Sequence, residues 1–116
     1  MTIREVRALV REWQSLIPGL KDWKISISWG SKPNMLDDHG EILDATCLWQ
    51  TEHALATILI RRAAPEIEAT ILHELLHILL EGHTTRRAYS AVFELGLNRL
   101  ADLLVRFKHS STVKSE

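Results

Sequence analysis

Two histidines and a glutamate within residues 73–77 have the types and the spacing that a catalytic metal site requires. His73 and His77 are four positions apart, and on an α-helix such residues lie about 40° apart around the axis and about 6 Å along it. Their imidazoles can therefore converge on one metal ion. Glu74 is offset from His73 by about 100°, which places it beside the ion, where it can take a proton from an activated water molecule. These donors favour zinc (Zn²⁺), which accepts imidazole and carboxylate ligands and keeps a position open in catalytic sites.

The motif lies in the middle of a predicted helix over 65–81. Pro65 and Glu66 are typical of the first turn of a helix, and Gly82 is a typical stop after its end. Histidines and glutamates on a helix that is otherwise apolar are costly to bury unless they have partners, and a metal ion would offset that cost. The apolar residues around the motif are Ile71, Leu72, Leu75, Leu76, Ile78, Leu79 and Leu80.

Two other interpretations of the histidine pair are open. In one, His73 and His77 are simply hydrogen-bonded at the edge of a core. In the other, a zinc ion stabilises the fold without catalysis. Structural zinc sites are normally closed by four protein ligands, often cysteines, and the single cysteine, Cys47, falls on a predicted strand. A closed site is therefore harder to build, and the catalytic interpretation is favoured.

A tetrahedral catalytic site needs a third protein ligand, and the sequence offers two candidates. His83 follows His73 by ten residues, but Leu80 stands where HExxHxxGxxH sites have the glycine that bends the chain, so a continuing helix would direct His83 away from the pair. Glu94 lies on the next predicted helix and borders its apolar side. We favour Glu94, and we expect Asn98, one turn further on, to hydrogen-bond a ligating histidine.

The rest of the chain predicts the elements that position this motif. Thr2 and Glu5 form a capping box at the start of the first helix, and Trp13 lies on its apolar stripe. Period-two alternation indicates strands, and a hairpin turn at 51–53 joins the second strand to the third. The order of elements is that of an α+β fold. The predicted elements are a helix over 2–16, strands over 23–29, 41–50 and 54–61, and helices over 65–81 and 86–108.

Length and composition are those of one small folded domain. The chain has 116 residues, of which 46% are hydrophobic and 25% charged, with a formal net charge of −1. We expect a single domain over 1–109 and a polar tail over 110–116. The near-neutral charge argues against general nucleic-acid binding, and no apolar stretch approaches the ~20 residues of a membrane span. A charged N-terminus and a single cysteine favour a cytoplasmic location.

The two helices around the motif resemble a known family of enzymes. His73-Glu74-Leu75-Leu76-His77 on one helix, with Glu94-x-x-x-Asn98 on the next, is similar to the gluzincin metallopeptidases, although gluzincins usually carry aspartate at the position of Asn98. The short chain and the order of elements resemble the minimal zincin-like domains of phage and bacterial genomes, called minigluzincins. The resemblance implies a zincin-like fold, with His73, His77 and Glu94 as zinc ligands and Glu74 as general base and acid.

The resemblance also implies an activity, namely that of a zinc-dependent hydrolase, most simply a metallopeptidase that acts on a peptide or protein. In zincins an edge strand beside the active-site helix pairs with an extended peptide, and the strand over 41–50 is the candidate here. Tyr89 and His39 are candidates for stabilising the oxyanion, but neither is identified by a motif. The alternative is a non-catalytic zincin-like binding or assembly module whose metal is structural.

Overall fold

The computed structural model of the chain describes residues 1–31, 35–37, 39–81 and 91–114, with the side chains of its last helix described from 95 to 110. Over these residues the fold is α+β, with three helices and a three-stranded mixed sheet. The predicted class and order of elements are confirmed. The elements are α1 (Ile3–Leu16), β1 (Lys24–Trp29), β2 (Ala45–Gln50), β3 (Leu55–Ile60), α2 (Ile67–Glu81) and α3 (Ala91–Lys114).

The sheet has β3 at its centre, parallel to β1 on one side and antiparallel to β2 on the other. A short 3-10 turn, Thr51–His53, joins β2 to β3 and ends with Ala54 in the left-handed conformation at φ 51°, which confirms the predicted hairpin. β2 begins at Ala45 rather than at position 41, because its partner strand ends at Ile60, directly opposite Ala45.

α1 begins with the predicted capping box and buries one stripe of its surface. The Oγ1 atom of Thr2 accepts a hydrogen bond from the backbone N–H of Glu5 at 3.2 Å, and the Oε1 atom of Glu5 accepts one from the backbone N–H of Thr2 at 3.0 Å. Val6, Val10 and Trp13 face the core from α1. The cap therefore fixes the start of a helix whose apolar side packs against β1 and α2.

α2 is the centre of the hydrophobic core. It contacts β2, β3, α1 and α3, so apolar side chains are buried around most of its circumference. Its described part runs to Glu81. A helix enclosed on so many sides holds its side chains in fixed positions, since protein interiors are close-packed. Its buried apolar residues are Ala69, Ile71, Leu72, Leu75, Leu76 and Ile78.

α3 covers a further side of α2, with Leu97 and Ala101 buried in the shared core. The helix extends to Lys114, beyond the predicted end at position 108. The reason is local, since no glycine or proline interrupts the chain between 97 and 114. Neither α3 nor another helix in the described ranges combines the length and the apolar character needed to cross a bilayer.

One partly buried carboxylate, Glu68 of α2, links all three helices. Its Oε2 atom accepts hydrogen bonds from Trp13 Nε1 of α1 at 2.9 Å and from Lys108 Nζ of α3 at 2.5 Å, and its Oε1 atom pairs with His109 Nε2 at 2.7 Å. Lys108 also pairs with Glu12 of α1. Burial raises the pKa of Glu68, but the hydrogen bonds from Lys108, His109 and Trp13 outweigh it and hold the pKa below its ordinary value of 4.5.

We predict that Glu68→Gln lowers the free energy of unfolding by about 1–2 kcal/mol at neutral pH, because a neutral amide accepts weaker hydrogen bonds from Lys108 and His109. The folded-state pKa of Glu68 is depressed, so its stabilisation is present above pH 4.5 and is lost as the pH falls through the folded-state value. Urea denaturation from neutral to acidic pH should show a difference between wild type and variant that shrinks with acidification. Glu66→Gln, at an exposed carboxylate nearby, is the matched control. A difference that stays constant with pH would contradict the assignment.

Candidate metal centre

His73 and His77 meet on one side of α2. Their Nε2 atoms are 3.2 Å apart, and their rings meet edge to face with centroids 4.9 Å apart. His77 is only 1% exposed, and His73 is partly buried. The one-turn spacing on a regular helix brings the two nitrogens together at the edge of the apolar core.

The separation of these nitrogens fits a shared metal ion. Two nitrogens that bind a tetrahedral zinc ion at roughly 2.0–2.1 Å are about 3.3 Å apart, close to the 3.2 Å between the Nε2 atoms of His73 and His77. The same distance suits an N–H···N hydrogen bond in the metal-free protein, in which one of the nitrogens carries a proton. Metal binding requires that proton to leave Nε2, since both nitrogens must then present lone pairs.

The other ring nitrogen of His77 contacts a carboxylate that the sequence interpretation missed. Nδ1 of His77 is hydrogen-bonded to Oε2 of Glu81, and the two side chains are 1% and 12% exposed. An ionised carboxylate only accepts hydrogen bonds, so Nδ1 of His77 is the donor whenever Glu81 is ionised. The signal was present in the sequence as the one-turn spacing of His77 and Glu81 on the same helix.

Glu74 is buried in the same helix, with 5% of its surface exposed. Glutamate is rarely buried to this extent unless it is paired, and the buried apolar residues of α2 around it include Ile71, Leu75 and Ile78. In such surroundings charges interact more strongly than at the protein surface. α2 therefore carries a pair of adjoining imidazoles and, in the same stretch of helix, a buried carboxylate.

The predicted third ligand, Glu94, has a described backbone position but no described side chain. Position 94 belongs to α3, three and seven residues before the buried Leu97 and Ala101, but the side chain of Glu94 lies outside the described part, as do His83 and Tyr89 altogether. Among the side chains that are described, no three from histidine, cysteine, aspartate and glutamate surround one point. The choice between Glu94 and His83 stays a prediction.

The other predicted site residues are at the surface. Asn98 is exposed on α3, and the described partner of His77 Nδ1 is Glu81, so a contact of Asn98 with a ligating histidine stays a prediction. His39 is exposed in a turn, where its backbone N–H donates to Oδ1 of Asp37 at 2.8 Å. β2, the candidate strand for peptide pairing, lies at one end of the described sheet and contacts α2.

Comparison of the chain with protein-family models, curated proteins and solved structures finds no match. Its function is therefore inferred from its own residues and their geometry.

We predict that Glu94→Ala loses bound zinc and that His83→Ala retains it, because α3 packs directly against α2 whereas His83 follows a helix that continues through Leu80. Metal content is measured by inductively coupled plasma mass spectrometry after dialysis. His53→Ala, in the hairpin turn, is the control for an exposed histidine. Loss of zinc from His83→Ala alone would make His83 the third ligand and the assignment of Glu94 wrong.

Proposed function

We propose that this protein is a zinc-dependent hydrolase, a metallopeptidase with a zincin-like fold of the minimal gluzincin type. One observation carries the proposal: the Nε2 atoms of His73 and His77 are 3.2 Å apart on a helix that also buries Glu74. Two histidines one turn apart bind zinc in metalloproteases, and the glutamate between them acts as general base. His73, His77 and Glu94 would hold the ion. Zinc bound there would polarise the substrate carbonyl and lower the pKa of a water molecule toward 7.

Glu74 performs the proton transfers in this proposal. Its carboxylate takes a proton from the water as the water oxygen adds to the carbonyl carbon of the peptide bond. It then delivers that proton to the amide nitrogen as the C–N bond breaks, so the leaving group departs as an amine. The burial of Glu74 limits access of bulk water, which keeps the proton on this path.

The packing of α2 supplies the rigidity that this chemistry needs. Leu72, Leu75 and Leu76 are buried on the helix that carries the motif, so rotation of the helix would open the core. A misplacement of about 1 Å at a reacting group costs on the order of 100-fold in rate. The core therefore supports a catalytic role for Glu74, because it holds in place the helix that carries this residue.

The proposed substrate is a peptide or a protein segment in an extended conformation. β2 contacts α2, so a substrate aligned along this strand by main-chain pairing would lie close to the motif helix. A cytoplasmic location belongs to the same proposal. Nucleic acid is not proposed as a partner, because the formal net charge is −1.

We predict that Glu74→Gln keeps its fold and its zinc but loses peptide hydrolysis by roughly 10²- to 10⁴-fold, the usual contribution of a general base. Cleavage of a fluorogenic peptide library is measured together with zinc content and Tm, and Glu66→Gln serves as the control for a lost carboxylate. Hydrolysis at the wild-type rate by Glu74→Gln would remove Glu74 from the mechanism.

Removal of the metal separates a hydrolase from a binding or assembly module whose zinc holds two helices together. Leu97 and Ala101 of α3 are buried in the same core as α2, and the bond from Lys108 to Glu68 links the two helices without a metal. We therefore predict that chelator-treated protein keeps its helical circular dichroism and unfolds cooperatively, with a Tm lowered only by the loss of ligand binding. Unfolding on chelation, with no peptide cleaved by the zinc-loaded protein, would favour the structural module.

A further inference from the structure

We propose that Glu81 is a positioning residue, which holds His77 in the tautomer whose Nε2 atom binds the metal and thereby sets the metal affinity. The inference rests on the proposed zinc site and adds to it a residue outside the HExxH motif. The contact that carries it joins Nδ1 of His77 to Oε2 of Glu81 within the last turn of α2.

The chemistry of imidazole makes this contact decisive for ligation. A neutral histidine carries its proton on either Nδ1 or Nε2, and only the nitrogen without the proton can bind a metal. The carboxylate of Glu81 accepts a hydrogen bond from the ring nitrogen that carries the proton. It therefore selects the Nδ1–H form of His77. Nε2 of His77 then directs a lone pair toward Nε2 of His73, 3.2 Å away.

The position of Glu81 is unfavourable for a carboxylate that lacks a specific partner. Its side chain is only 12% exposed. This burial opposes a negative charge at this point. The contact with His77 compensates, and positive charge drawn onto the ring by a bound cation would strengthen it.

The packing around His77 lets its contact with Glu81 fix the orientation of the imidazole ring. His77 is 1% exposed, so its ring has little room to turn, and Glu81 is anchored one turn further along the same helix. A ring rotated by half a turn about its Cβ–Cγ bond would place Cδ2 where Nδ1 lies and Cε1 where Nε2 lies, and it would lose the bond to Glu81. Glu81 therefore fixes both the tautomer and the orientation of the ring, as the carboxylate partners of zinc-binding histidines do in general.

The test measures zinc affinity by competition with a chelator of known affinity, in wild type and three variants. Glu81→Leu removes the acceptor, Glu81→Gln keeps an amide oxygen that can accept from Nδ1–H, and Glu52→Gln removes a charge at an exposed turn. We expect Glu81→Leu to bind zinc roughly 10- to 100-fold more weakly. Glu81→Gln should lose less, and Glu52→Gln should bind as wild type does.

Nitrogen-15 chemical shifts of the His77 ring in metal-free protein give a readout that does not depend on activity. Wild type should show the Nδ1–H tautomer, and Glu81→Leu should shift the population toward Nε2–H while Glu81→Gln retains the wild-type form. A residue with a purely structural role would lower the Tm without changing the tautomer.

The two possible failures are distinguishable. Wild type that binds zinc, together with a Glu81→Leu variant of unchanged zinc affinity and unchanged tautomer, overturns the role of Glu81 and leaves the metal site intact. Wild type that binds no zinc overturns the proposed function and this inference with it.

Discussion

Ionisable side chains are costly to bury without partners, and this constraint shapes the whole domain, because α2 carries five of them among 15 residues and lies at the centre of the core. At its start, Glu68 is satisfied by groups from α1 and α3. At its end, Glu81 meets His77. Between them the two imidazoles approach each other closely enough to share a proton or a metal ion. Ionisable groups at both ends and in the middle of this central helix thus meet polar partners.

Much of the fold could be predicted because it depends on neighbours a few residues apart. The Thr2–Glu5 cap and the hairpin turn at 51–53 are local features, and the structure has them. The central place of β3 and its parallel pairing with β1 join positions that are 31 residues apart, such as Ile27 and Ile58, and no short-range pattern encodes that choice. The start of β2 was misplaced for the same reason, since its length is set by a partner strand.

In the candidate site, too, the contacts between residues close in sequence could be predicted, and those between distant residues could not. The convergence of His73 and His77 follows from helical spacing alone once the helix is correct. Glu81 has the same spacing from His77, but a glutamate near a helix end is usually solvated, and only its burial distinguishes it. The bonds of Glu68 span 55 residues to Trp13 and 40 to Lys108, so they require the tertiary structure. Whether Glu94 is the third ligand depends in the same way on how α3 lies against α2.

Zinc-edge X-ray absorption spectroscopy of the purified protein tests most directly the claim that His73 and His77 bind one ion. We expect one zinc per chain, with scattering from two imidazoles at about 2.0–2.1 Å and from oxygen donors. His77→Ala should lose one imidazole contribution or the metal itself. Zinc that is absent, or whose scattering lacks imidazole in the wild type, would contradict the account.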